Sequence, residues 1–153
     1  MPQNTRYELT IYVDGGSRGN PGPAAVGAVI IRKGKEISRL SKTIGTATNN
    51  EAEYRALIAA LEETRRLGAT SVHVKMDSEL MIRQLLKQYK VKSQTLRPLH
   101  EKAVNLLREY RDVGLEKIPR EKNAVADGLV NAALDALAKS EKSKDQGGRG
   151  ESE

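Results

Sequence analysis

A chain of 153 residues with a net charge of +6 is one domain with volume enough for its own core. It holds no cysteine and only two histidines, His73 and His100, which excludes disulfides, a thiolate nucleophile, a Cys-type zinc site and a histidine-rich metal site. No apolar run approaches ~18 residues and no signal sequence precedes Tyr7; a cytoplasmic monomer without membrane contact is expected.

Tyr7 to Asp14 alternates, with Leu9, Ile11 and Val13 on one side and Thr10, Tyr12 and Asp14 on the other, the period of a strand. Gly15 to Pro23 carries four of the thirteen glycines and two of the five prolines and reads as a turn or loop. Ala24 to Arg32 and Glu36 to Ile44 form a hairpin about Lys33-Gly34-Lys35. Thr48 or Asn49 caps a helix to about Leu67, closed by Gly68. Ser71 to Met76 is a short strand, and Asp77 or Ser78 opens a helix to about Gln88. Thr95 to Arg111 is helical, with Pro98 in its tolerant first turn. Gly114 to Pro119 is a strand, and Asn123 caps a last helix to about Lys139. Residues 1–139 make the domain; residues 140–153 are expected to be a disordered polar tail.

The order β-β-β-α-β-α-α-β-α puts an antiparallel meander first and parallel crossovers after it, giving an α/β fold with a mixed sheet and helices on its faces. Between residues 83 and 102 six basic side chains, among them Lys87, Lys90, Lys92 and Arg97, face the single acid Glu101. A cluster of that kind is either a solvated helix face or the footprint of a polyanion. The absence of Phe and Trp leaves few rings for stacking single-stranded bases.

Four carboxylates lie where an α/β site would need them. Asp14 ends a strand before Gly15 and Gly16, where backbone can approach a ligand closely. On the first helix Glu53 shares a face with Leu57, Ala60 and Leu61, whereas Glu51 lies with Arg55, Glu62 and Arg66. A buried acid needs a partner or a metal, while Glu51 has a sufficient role as a first-turn acid; Glu53 is therefore the candidate. Asp77 follows the strand ending at Met76, at the carboxyl end where ligands collect in parallel sheets. It competes with a plain helix-capping role. Asp127 and Asp135 share the last helix, roughly 12 Å apart along its axis, so at most one joins a compact site; position favours Asp127. An all-oxygen ligand set suits Mg²⁺ or Mn²⁺ and disfavours zinc and copper.

The stretch Tyr12-Val13-Asp14-Gly15-Gly16-Ser17-Arg18-Gly19-Asn20-Pro21-Gly22-Pro23 resembles the opening signature of type 1 ribonuclease H. Thr48-Asn49-Asn50-Glu51-Ala52-Glu53-Tyr54, Met76-Asp77-Ser78 and Asn123-Ala124-Val125-Ala126-Asp127 resemble its later motifs, in order, over about residues 7–139. The resemblance implies a ribonuclease H-like fold: a five-stranded mixed sheet with strands 1–3 antiparallel and strands 1, 4 and 5 parallel. It implies hydrolysis of the RNA strand of RNA–DNA hybrids, leaving 5′-phosphate and 3′-hydroxyl ends. It assigns Asp14, Glu53, Asp77 and Asp127 to a site for two Mg²⁺ ions, selecting Asp127 over Asp135. Gly15, Gly16, Asn20 and Asn50 would meet the duplex near the cut, and Lys90 and Lys92, with Lys87 and Arg97, its phosphates. Two departures from the family stand out. Gln88 to Gln94 replaces the basic protruding helix with tryptophan that many members carry. No histidine lies in the loop before the last motif, where Arg120 is expected to stand in, as in the shorter subgroup this chain most resembles. The alternatives are the same site also cutting double-stranded RNA, or a hybrid-binding module without cleavage, which would have no need of four clustered acids.

Overall fold

The computed structural model describes residues 6–151, with side chains through Ser143. Five strands form one sheet in the order β3-β2-β1-β4-β5. Strand β1 (Leu9–Ser17) pairs antiparallel with β2 (Gly22–Arg32), and β2 with β3 (Lys35–Ala47). Strand β4 (Ser71–Met76) lies parallel to β1, and β5 (Asp112–Lys117) parallel to β4. This is the mixed sheet expected from the element order. The β2–β3 hairpin is tighter than expected. Arg32 pairs with Lys35, and only Lys33 and Gly34 turn, both with positive φ (50° and 78°), which a two-residue type I′ turn requires.

Helix α1 (Asn49–Arg66) covers one face of the sheet. Thr48 and Glu51 form a reciprocal capping box at its start, and Gly68, at φ +84°, follows its end. Leu57 and Leu61 of α1 are buried with Leu9, Ile11 and Val13 of β1 and Val72, Val74 and Met76 of β4. Helix α2 (Glu79–Leu85) and helix α3 (Arg97–Arg108) complete that layer, with Met81, Ile82, Ala103 and Leu106 in the same core. The Tyr54 hydroxyl, buried in this layer, donates to Gln84 Oε1 at 2.7 Å. Helix α4 (Ala124–Glu151), entered through a 3-10 turn at Arg120–Asn123, covers the other face, where Val130 and Leu134 pack on Ala25. Among the described residues no helix is long and apolar enough to cross a membrane.

Three boundaries differ from expectation in ways that matter. Strand β1 does not stop at Asp14; Gly15, Gly16 and Ser17 continue it, paired with Val26, Ala25 and Ala24. Helix α2 ends at Leu85 rather than near Gln88, because the chain turns through Lys87 at φ +63°. Helix α4 runs past Lys139 to Glu151; no glycine or proline occurs between Gly128 and Gly147. The expected disordered tail is thus helical in backbone through Glu151; its side chains beyond Ser143, with Ser152 and Glu153 altogether, lie outside the described residues.

Two glycines set how closely the helices approach. A methyl group on Gly15 would overlap the carbonyl of Ala52, so the backbone of α1 lies flat on β1 at that point. A Cβ on Gly27 would stand 2.5 Å from the carbonyl oxygen of Ala126, and α4 is seated on β2 in the same manner. We expect Gly15→Ala to destabilise the protein by about 3 kcal/mol or more, since neither backbone can yield. Gly68→Ala, whose Cβ would meet nothing within 4 Å, should cost only the ~1 kcal/mol of a positive φ. Urea denaturation of the two variants measures this, and equal midpoints would contradict it.

Candidate active site

Asp14 and Asp77 stand side by side. The parallel register pairs Tyr12 with Lys75, so the next two residues on each strand bring the two acids level at the carboxyl ends of β1 and β4. Ser78, not Asp77, caps α2: its hydroxyl accepts from the Met81 N–H at 3.2 Å. Asp77 is therefore left outside the helix and free of the capping role it competed for.

Glu53 reaches the same point from α1. The contact of Ala52 with Gly15 places the next residue beside Asp14. Asn49 Nδ2 donates to Glu53 Oε1 at 3.1 Å, and Ser78 also hydrogen-bonds Glu53. The competing Glu51 is occupied at the capping box, accepting from the Thr48 N–H at 2.9 Å. Asp127, in the first turn of α4, lies within hydrogen-bond reach of Asp14. Asp135 is instead ion-paired with Arg18 at 2.6 Å. The structure thus brings Asp14, Glu53, Asp77 and Asp127 together and leaves Glu51 and Asp135 outside.

A narrow cleft of about 10 Å³ opens among these groups, with Asp14, Glu53, Asp77 and Ser78 on its polar side and Val13, Met76 and Met81 behind them. Its electrostatics are unfavourable to four ionised acids. Burial first, then the charge of Asp77 and contact with Asp127, pushes Asp14 up to about 8. Burial likewise pushes Glu53 up to about 7, with Asp77 adding to it. Hydrogen bonds from Ser78 and Asn49 and the charge of Arg120 work the other way.

Among the described residues no three acids or histidines already stand gathered about one point to hold a metal ion. Each acid turns toward a neighbour instead: Asp14 to Asp127, Glu53 to Asn49 and Ser78, Asp77 to Asn123. The residues nonetheless fit a hard divalent cation. All donors are oxygens, the cluster carries more negative charge than it can hold ionised, and the backbones are already neighbours, so side-chain rotation suffices to converge them.

Other expected residues fall at varied distances from this cluster. Gly15 is glycine because α1 backs onto it; Gly16 meets only ordinary contacts, the nearest at 3.6 Å. Asn20 Oδ1 accepts from the Asn49 N–H at 3.0 Å, which ties the loop after β1 to the start of α1, and Asn50 beside it is exposed. Arg120 is exposed and its charge acts on Glu53. Lys90 and Lys92 lie exposed in the irregular stretch after α2, with no hydrogen bond or ion pair among the described residues. The two histidines are structural: His73 Nε2 meets Glu116 Oε1 at 2.9 Å, and His100 Nε2 meets the Gln84 carbonyl at 3.1 Å.

Two residues taken for helix caps turn out to hold acids. Asn49 lies four residues before Glu53 and bonds it along the helix face. Asn123 bonds Asp77 at 3.1 Å from the turn before α4. For Asn49 the i, i+4 spacing to a candidate acid was the available signal.

The profile of the family described as reverse transcriptase-like matches residues 12–133. The chain belongs to that family. Its domain is of the ribonuclease H type, a name that several of its relatives and structural neighbours carry. It is 44% identical over 125 residues to ribonuclease HI of Halobacterium salinarum, covering 81% of this chain and 63% of that protein. It is 44% identical over 135 residues to the bifunctional protein Rv2228c of Mycobacterium tuberculosis, covering 87% of this chain but only 37% of that one. The chain therefore spans little more than a third of the length of the latter relative. Among solved structures, RNase H1 from Halobacterium salinarum superposes with a TM-score of 0.82 at 43% identity, covering 84% of this chain and 98% of that one. LC11-RNase H1 from compost, solved in complex with an RNA/DNA hybrid, superposes at 0.80 with 46% identity, covering 85% and 99%.

The raised acids give a pH signature. Because their folded values lie above the ordinary carboxylate range, the folded ribonuclease H-type domain binds more protons than the unfolded chain between about pH 4 and pH 8. Stability without divalent cation is fully present below that window and falls as pH rises through it. Asp14→Asn should remove much of this fall and raise metal-free stability at pH 8 by about 1–2 kcal/mol. Urea titrations at pH 5 and pH 8 test it, and a destabilised Asp14→Asn at pH 8 would count against the charge argument.

Proposed function

We propose that this chain is an endoribonuclease that hydrolyses the RNA strand of RNA–DNA hybrids, leaving 5′-phosphate and 3′-hydroxyl ends. The observation that carries this reading is the convergence of four acids from four elements on the carboxyl edge of the central strands. The ribonuclease H relatives and the hybrid-bound LC11 structure support the choice of substrate.

Asp14, Glu53, Asp77 and Asp127 would hold two Mg²⁺ ions, with Mn²⁺ as a substitute. When bound, the cations supply activation of water for in-line attack on phosphorus and stabilisation of the departing 3′-oxygen. The chain itself does the positioning. Asp14 and Asp77, fixed on rigid strands, set the spacing of the site, while Asn49 and Ser78 hold Glu53 to it. Met76 and Met81 wall one side of the cleft against solvent.

Arg120 places a cation on the edge of the site near Glu53, where it offsets the negative charge of acids and incoming phosphate. Gly16 near the end of β1, Asn20 on the loop after it and Asn50 at the start of α1 flank Asp14 and Glu53, where they would meet the minor groove and its 2′-hydroxyls. Lys90 and Lys92 would take phosphates farther along the duplex.

The deciding assay offers hybrid, double-stranded RNA, single-stranded RNA and double-stranded DNA to purified protein with Mg²⁺, Mn²⁺ or chelator. Cleavage of the hybrid with metal alone is the expected result. Cleavage of double-stranded RNA as well would widen the substrate, and hybrid binding without cutting by any metal would reduce the chain to a binding module. Asp14→Asn and Asp77→Asn should lower turnover by roughly 1000-fold or more with the fold intact. Glu53→Gln should do the same, whereas Glu51→Gln, whose amide oxygen can still accept from the Thr48 N–H, should leave turnover near normal; the reverse result would misassign the helix face. Lys90→Ala and Lys92→Ala should each flatten the dependence of log affinity on log salt by about 1, measured by hybrid binding across a salt series.

A further inference from the structure

Asn123 does not behave as a helix cap. A capping asparagine uses its side-chain oxygen to accept from an N–H of the first turn. Here Asn123 Oδ1 is buried and has no hydrogen-bond partner. The nitrogen does the bonding instead: Nδ2 donates to the Val13 carbonyl at 2.8 Å and to Asp77 Oδ2 at 3.1 Å. Turning the amide over would set Oδ1 against two acceptor oxygens, so the donor orientation is fixed by its surroundings.

The residue is 1% exposed, and leaving a buried oxygen unpaired costs stability. An apolar residue here would leave Asp77 Oδ2 and the Val13 carbonyl both short of a donor, while an aspartate would add a fifth acid to the cluster. Among side chains of this size only the amide gives two donors without charge.

Its location is equally specific. Val13 precedes Asp14 on β1, Asp77 directly follows β4, and Asn123 itself lies four residues before Asp127. One amide group therefore ties together the ends of three elements that each deliver an acid. Asp77 needs such a tie, because its charge opposes ionisation of both Asp14 and Glu53. A free side chain would relieve that repulsion by rotating away.

We propose that Asn123 is a positioning residue that holds Asp77 against the repulsion of the other acids and so keeps one ligand of the divalent-cation site in place. It touches no reacting atom; its effect passes through Asp77. The inference rests on the metal-site reading proposed above, but not on the identity of the nucleic acid that is cut.

The test measures Mn²⁺ binding to the full chain by calorimetry, alongside the rise in melting temperature that Mn²⁺ produces, for the native protein, Asn123→Ala and Asn123→Ser. Loss of a group that orients a metal ligand weakens affinity by roughly 10–100-fold. Asn123→Ala should show a loss of that size and a smaller cation-induced rise. Asn123→Ser, which keeps one donor, should fall between. In a cleavage assay the Mg²⁺ concentration for half-maximal rate should climb by the same factor, with the rate at saturating Mg²⁺ within about threefold of native. A purely structural Asn123 would lower the melting temperature equally with and without Mn²⁺ and leave affinity unchanged in both variants; that outcome overturns the proposal. Should Asn123→Ala fail to fold, native-like affinity in Asn123→Ser overturns it and an intermediate loss supports it. If native protein binds Mn²⁺ with the expected Asn123 dependence yet cuts no hybrid, the substrate reading fails and this one stands. If native protein binds no Mn²⁺, the metal-site reading fails and takes this inference with it.

Discussion

The close seating of helix α1 on strand β1 is the constraint on which the rest depends. At Gly15 the sheet presents no side chain, and the carbonyl of Ala52 occupies the space a methyl would fill. This contact fixes both the height and the rotation of the helix. Rotation decides that Glu53, rather than Glu51, turns toward Asp14. Height decides that it meets the end of β1, where β4 delivers Asp77 at the same level. The same device recurs on the opposite face, where α4 backs onto Gly27, the register partner of Asp14, and sets Asp127 beside it. Two backbone-to-backbone contacts, one on each face, thus clamp the edge of the sheet where the acids gather.

That gathering works against folding. Burial and mutual repulsion raise Asp14 and Glu53 far above ordinary carboxylates, so the fold holds the cluster with neutral donors in place of counter-charges. Asn49 and Ser78 serve Glu53, and Asn123 serves Asp77. Neutral amides and hydroxyls steady the acids while leaving the site negative overall, the condition a divalent cation requires. Arg120, the charged group that acts on Glu53, remains exposed at the rim. Arg18 is paired with Asp135, and Lys90 and Lys92 lie exposed in the irregular stretch after α2.

Much of this was legible in the chain. The limits of β4 and the buried face of α1 followed from periodicity and capping residues, and the face assignment separated Glu53 from Glu51 before any coordinates. What could not be read had tertiary causes. Gly15 and Gly16 look like the start of a turn, yet they extend β1, because the demand for glycine comes from a helix packed across the sheet. Periodicity does not separate Asp127 from Asp135 on a helix apolar nearly all round, and position only favours Asp127. The family motif chose between them, and in space the ion pair of Asp135 with Arg18 accounts for the choice. Asn123 sits where a cap belongs, and its service to Asp77 appears only once strands β1 and β4 are aligned.

The central claim is that the four acids form one cation site. Anomalous scattering from crystals soaked in Mn²⁺ tests it most directly. The account predicts strong peaks bounded by Asp14, Glu53, Asp77 and Asp127, with Asp14, Glu53 and Asp127 rotated inward while Asp77 keeps Oδ2 on Asn123. Peaks elsewhere on the surface, with Asp14, Glu53 and Asp127 still turned to Asn49, Ser78 and each other, would contradict it.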